Sequence, residues 1–108
     1  MARYHLVVMS NPAEGQEDEY NRWYDEQHLK DVLAIDGIVS AQRFKASELM
    51  PAAHKYSAVY EVDTEDLAAT LGQLGSRAGT DAMPISPAFD AKGALMSVYE
   101  EHGPLLEA

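Results

Sequence analysis

Two short β-type runs in this chain are apolar on both of their faces. In "IVSAQRFKA" Val39 and Ala41 alternate with Ile38 and Phe44, and in "ALMSVYE" Leu95 and Tyr99 alternate with Met96 and Val98. Successive side chains of a strand point to opposite sides of the sheet, so a sheet built from such runs must be covered on both sides. The number of helices available to cover it therefore decides the assembly.

The first strand, "RYHLVVMS" (Arg3 to Ser10), is short, partly β-branched and stopped by Asn11-Pro12. Gly15 ends the loop that follows. Glu17, Asp18 and Glu19 then sit where a helix N-terminus favours negative charge. They predict a helix from about Gln16 to His28, continuing at an angle through Leu29, Val32 and Leu33. Asp36-Gly37 is a turn signal before the second strand, and "KYSAVYEVD" forms a third with Tyr56, Ala58, Tyr60 and Val62 on one face. Asp63 or Thr64 can cap a second helix carrying Leu67, Leu71 and Leu74 at helical spacing, and Gly79 suits its end. Thr80 to Asp90, with Pro84 and Pro87, reads as irregular, and "ALMSVYE" is the last strand. Between the second and third strands, Leu49, Met50 and Pro51 are unusual for a fully solvated loop. Their connection, Ser47 to Lys55, is expected over a cavity mouth or a subunit edge.

The order strand, helix, strand, strand, helix, strand is the ferredoxin-like plan of the α+β class, βαββαβ, with a four-stranded antiparallel sheet. Residues 1–108 fit a single domain. Its two helices lie on one face, so the other apolar face calls for a partner sheet and predicts a homodimer.

The charge narrows the function. Lys and Arg number 8 against 18 Asp and Glu, and 8 − 18 = −10, which repels a phosphate backbone and an anionic membrane alike. No nucleic acid and no membrane are expected as partners. No apolar run approaches the roughly 20 residues of a membrane span, and "LVVM" is too short for a signal peptide's apolar segment, so a cytoplasmic location is expected. The absence of cysteine excludes disulfides, thiolate zinc sites and cysteine nucleophiles. No GxGxxG, Walker loop or GxSxG elbow is present, so no cofactor is expected. Acid–base chemistry on a small organic molecule, or binding alone, remains.

The candidates for that chemistry concentrate in "YNRWYDEQH". On a helical wheel Tyr20, Trp23, Tyr24 and Gln27 share one side and His28 stands at its border. By position alone, His28 is a helix-end residue favoured by the dipole. Its ordinary pKa also suits a general acid or base. Asp25, three residues earlier, could orient the ring or sit in solvent, and one D-x-x-H pair is too little for a metal site. Trp23 and Tyr24 would form an aromatic wall for a flat apolar ligand, with Tyr60 from the third strand. His5 shares strand parity with Val7 and Met9. Arg43 and Phe44 point to opposite faces, so only one can look into a pocket; Arg43 there could hold a carboxylate, phenolate or enolate. His54 and His102 sit in loop-like segments and read as surface.

The span "NRWYDEQHLKDVLAIDGIVSAQRF", Asn21 to Phe44, resembles the dimeric α/β-barrel superfamily and, within it, the EthD-like proteins. These combine an aromatic first helix, a histidine at its end, a Gly-led second strand and often an Arg-aromatic pair. The resemblance implies two sheets packed as a barrel, with each subunit's ligand cavity between its own sheet and helices. It also implies a cavity-facing His28, and a strand-one histidine, His5, reaching the cavity as in the superfamily's polyketide cyclases. Similar folds serve isomerases, cyclases, cofactor-free monooxygenases and haem enzymes. The leading expectation is a cofactor-independent enzyme acting by proton transfer on an aromatic, lactone or polyketide-like metabolite. His28 would be the acid–base group, His5 or Tyr24 a helper, Arg43 the anion holder, and Trp23, Tyr24, Tyr60 and Phe44 the substrate-binding wall. The alternatives are a cofactor-free monooxygenase of phenols or quinols and a non-catalytic small-molecule-binding protein.

Overall fold

The computed structural model describes residues 2–108. Its strands are β1 (Ala2–Ser10), β2 (Ile38–Lys45), β3 (Tyr56–Thr64) and β4 (Leu95–Glu100), and its α-helices are α1 (Glu17–Trp23), α2 (Leu29–Leu33) and α3 (Leu67–Arg77). The strands form one sheet in the order β2-β3-β1-β4, with every neighbouring pair antiparallel. This is the α+β, ferredoxin-like arrangement expected from the element order.

Register decides which side chains meet. Leu6 stands opposite Tyr60 on one side and Val98 on the other, and Val8 opposite Ala58 and Met96. Leu6, Ala58, Tyr60 and Val62 are buried against Tyr20, Trp23, Tyr24, Val32 and Ile35 of the first helical layer and its exit. His5, Val7 and Met9 consequently point to the opposite side. A bulge between Ile38 and Ser40 corrects the parity expected for β2. The extra residue lets Ile38 pair with Val62 and Ala41 with Tyr60, which puts both on the helix side and leaves Val39 and Phe44 facing away. That outer face carries Val39, Phe44, Leu95 and Tyr99, each about half exposed.

The helix expected to bend after His28 is instead one continuous rod. Between α1 and α2 the residues Tyr24–His28 are wound as a π-helix, and the backbone stays right-handed helical at Tyr24, His28 and Leu29. A wider turn with i→i+5 bonds absorbs one extra residue without breaking the rod. The second helix is capped by Asp66, whose Oδ1 accepts from Ala69 N at 3.0 Å, and not by Asp63 or Thr64. Thr64 instead accepts from Asp66 N and from the Thr70 hydroxyl at 2.9 Å, tying the start of α3 to the end of β3. Gly37 lies against this junction with φ +96, where a Cβ would come within 3.1 Å of Thr70 Oγ1. Only glycine meets both demands.

The connection from Ser47 to Lys55 is held by Asn11, which donates to the Ala53 carbonyl and accepts from Lys55 N, and by His54, whose Nε2 donates to the Gly93 carbonyl at 2.7 Å. Leu49 and Met50 at its tip are almost fully exposed. None of its residues lines the cavity described below. Among the described residues no helix is long and apolar enough to cross a membrane.

Candidate functional site

Helix α3 is fastened to the sheet at its start, and the space beneath its later turns is empty. A cavity of about 540 Å³, partly open to solvent, lies there. Its floor is Leu6, Val8, Tyr60 and Val98 of the sheet, its roof Leu71, Leu74 and Gly75 of α3, and one end wall His28 and Val32. Met83, Ile85 and Phe89 from the connection to β4 close another side. The volume falls in the range of roughly 300–1,000 Å³ typical of small-molecule sites.

His28 is the one histidine in this wall. Its ring stacks on Trp23, with centroids 4.4 Å apart and planes at 23°, and meets the edge of Tyr24 at 5.2 Å. Trp23 is itself anchored, donating from Nε1 to the Pro84 carbonyl at 3.2 Å. His28 Nδ1 is buried without a hydrogen-bond partner. Burial disfavours the imidazolium and pushes the pKa down to about 4, opposed in part by the charge of Asp31. The expectation that this ring titrates near neutrality is therefore corrected: at pH 7 it is a neutral imidazole. Asp25 does not orient it, because that carboxylate pairs with Arg43 at 2.9 Å.

Behind the cavity the phenols crowd together. The Tyr20 and Ser10 hydroxyls share a hydrogen bond of 2.6 Å, whereas the hydroxyls of Tyr24 and Tyr60 are buried with no partner of good geometry. Burial, reinforced by Tyr20, pushes Tyr24 up to about 12, and burial with the neighbouring Tyr24 raises Tyr60 further. Neither phenol ionises near neutral pH. Tyr60 contributes to the cavity floor as an apolar ring, and Tyr24 supports His28 from behind.

Trp23 and Tyr24 pack against His28 without lining the cavity, so the expectation that they form the substrate wall is corrected, and three further expected site residues lie elsewhere. Arg43 is on the helix side of the sheet but outside the cavity wall. Its guanidinium donates to Asp25 and, at 2.7 Å, to Asn21, and lies over the rings of Tyr20, Tyr24 and Tyr56, 4.6 Å from the centroid of Tyr24. Nη1 and Nη2 are thus taken, and Nε, which has no partner, is buried and outside the cavity wall. His5 is on the far side of the sheet, in a smaller hollow with Arg3, Val39 and Glu61, because its parity is that of Val7. Phe44 is on that far side too. The expectations for Arg43 as anion holder, His5 as helper and Phe44 as substrate wall are all corrected on these grounds.

The wall residues missed from the sequence are Met83, Ile85 and Phe89, which lie in the stretch read only as irregular. Their signal was composition alone: large apolar side chains between prolines in a segment without period. Among the described residues no cluster of three or more His, Asp or Glu side chains could hold a metal ion.

No family model matches the sequence, and no curated protein is similar enough to count as a relative. Solved structures do match over nearly the whole chain. An ethyl tert-butyl ether D (EthD) family protein from Bacillus halodurans superposes with a TM-score of 0.63 at 16% identity, covering 94% of this chain and 100% of that one. A proposed monooxygenase from Shewanella loihica gives 0.64 at 14% identity, covering 95% and 97%. A dimeric ferredoxin-like protein of unknown function from Jannaschia gives 0.58 at 16% identity, covering 92% and 99%. At such identities the likeness speaks for the fold alone, and that fold is the ferredoxin-like one.

Proposed function

We propose that this chain is a small enzyme that moves a proton on an aromatic, lactone or polyketide-like molecule held beside His28, by isomerisation, cyclisation or elimination. The observation that carries this reading is the His28 ring, stacked on Trp23, in the wall of an otherwise apolar cavity. Because burial keeps the ring unprotonated at pH 7, the base form is fully populated. A low proton affinity in the empty cavity does not bar transfer. Once a ligand hydroxyl or carbon acid gives up its proton, the new anion lies beside the new imidazolium, and their attraction in a dry site offsets part of the cost of charging the ring. Trp23 fixes the plane of the ring and Tyr24 its edge, so the base is oriented before the ligand arrives. The chemistry needs no cofactor.

The structural likeness to the proposed monooxygenase from Shewanella loihica favours a second reading. There the same base would deprotonate a phenol or quinol that then reacts with dioxygen. Oxygen uptake with a quinol separates the two, since isomerisation, cyclisation and elimination consume none.

The outer face of the sheet supports a homodimer joined sheet to sheet. Its exposed Val39, Phe44, Leu95 and Tyr99 have no helix of this chain to cover them, and the similar Jannaschia protein is dimeric.

The test of function is His28→Gln, which keeps size and hydrogen bonding but cannot take up a proton. Turnover of the true substrate is expected to fall at least about a hundredfold while the dimer persists. Unchanged turnover would remove His28 as the acid–base group and, with it, the mechanism proposed here.

A further inference from the structure

We infer that the cavity selects uncharged molecules bearing a hydroxyl on an apolar ring framework, and rejects the same frameworks when they carry a carboxylate or phosphate. The inference rests on the cavity reading above but not on catalysis. Among the described residues no Lys, Arg, Asp or Glu lines the cavity, and its polar residues are only His28, Tyr60 and Ser97, the last sharing the outward parity of Val7. Arg43, on the same side of the sheet, is already shared between Asp25 and Asn21 and lies over three tyrosine rings. Arg77 and Lys92 adjoin wall residues in sequence without joining the wall themselves. An anion entering this space would lose its water and find no counter-charge, a cost that one neutral hydrogen bond does not return. The chain's net charge of −10 adds a repulsive field at the mouth.

A ligand hydroxyl meets the opposite situation. His28 is a neutral ring, so it has one nitrogen lone pair to offer as acceptor. Its other contacts are aromatic faces and edges that leave it no competing donor partner. Nδ1 is itself closed to solvent, so a ligand hydroxyl would meet this ring at its other nitrogen, Nε2. The apolar walls supply the remaining affinity without directional demands, which fits a framework of fused or linked rings better than a polar chain.

The chain contains a single tryptophan, and it is the residue stacked on His28, so its fluorescence reports occupancy at that ring. The purified full chain would be titrated near neutral pH with para-cyclohexylphenol, para-cyclohexylbenzoate and phenylcyclohexane, three probes that share one framework. Calorimetry would supply the affinities. The phenol is expected to bind at least about tenfold more tightly than the benzoate, the equivalent of about 1.4 kcal/mol, and more tightly than the hydrocarbon. In His28→Leu the hydrocarbon should still bind while the phenol loses its advantage over it. Benzoate binding as tight as phenol, no binding by any of the three, or a phenol preference that survives His28→Leu would overturn the inference. The comparison of phenol with benzoate needs no variant, so it stands even if the substitution unfolds the chain. Selection against the benzoate together with normal turnover in His28→Gln would keep this inference and remove the acid–base reading.

Discussion

Trp23 and His28, five residues apart in one helical rod, lie ring on ring with their centroids 4.4 Å apart. In an α-helix of 3.6 residues per turn, residues five apart are rotated by about 140° and face different sides. The π-wound turn from Tyr24 to His28 reduces that offset, because its i→i+5 bonds bring residues five apart closer to one side. One extra residue in one turn thus moves the histidine from the border of the aromatic stripe into it, and into the cavity wall.

That burial makes acid stability depend on His28. Its folded pKa, about 4, is below the ordinary 6.5, so between these values the unfolded chain binds a proton that the native ring refuses. Stability from the neutral ring is complete above about pH 6.5 and is lost as pH falls toward about 4. The shift corresponds to at most about 3 kcal/mol. Urea midpoints measured across this window should fall more steeply for the native sequence than for His28→Gln. Parallel curves would mean that the ring is better solvated than its surroundings indicate.

Arg43 is predicted to be structural. Arg43→Met keeps the stem but removes the donors to Asp25 and Asn21 and the cation over three tyrosine rings. A loss of about 2 kcal/mol in stability is expected, with little change in turnover by the molecules that remain folded. A selective collapse of turnover at normal stability would return Arg43 to the site.

The glycines divide by their surroundings. At Gly72 and Gly75 in α3, an added Cβ would meet nothing within 4 Å. Glycine inside a helix costs up to about 1 kcal/mol relative to alanine, so each Gly→Ala change should stabilise the chain by a comparable amount. Gly37→Ala should do the opposite, since φ +96 and the hydroxyl of Thr70 oppose a side chain there. Thermal melts of the three variants suffice to check the signs.

Assembly can be tested on the outer face. Light scattering at micromolar concentration should give about twice the 11.9 kDa chain mass. A charge at the exposed apolar position, in Phe44→Glu, should shift the mass toward that of one chain. A native sequence that scatters as a monomer would end the sheet-to-sheet proposal.

Periodicity made most of the fold legible. Alternation in "KYSAVYEVD" identified the face that carries Ala58, Tyr60 and Val62, and those three residues are buried. Leucines at helical spacing located α3, and acidic residues before Tyr20 located the start of α1. These signals are local, because a strand or helix repeats its buried side every two or every three to four residues. The cap of α3 was missed by two or three residues, since Asp63, Thr64 and Asp66 are all capping types and only the backbone path selects among them.

The site was legible only in part. His28 and Tyr60 could be singled out from aromatic clustering and strand parity, and both reach the cavity. His5, Phe44 and Arg43 could not be assigned, because parity says which residues share a face but not which face the helices cover. Arg43 adds a second obstacle: it is on the helix side, yet Asp25 and Asn21, far from it in sequence, hold it away from the cavity.

The sequence by itself determined the order of elements, the antiparallel sheet and the apolar surplus on its outer face, since these follow from residue type and spacing along the chain. Only the tertiary structure decided that the turn at Tyr24–His28 widens, that a bulge resets β2, and that an irregular segment supplies Met83, Ile85 and Phe89 to the wall. Each of those depends on one residue of register or on contacts between segments tens of residues apart. The imidazole's preference for its neutral form has the same origin, because the widened turn that stacks it on Trp23 and the cavity wall around it together remove its water.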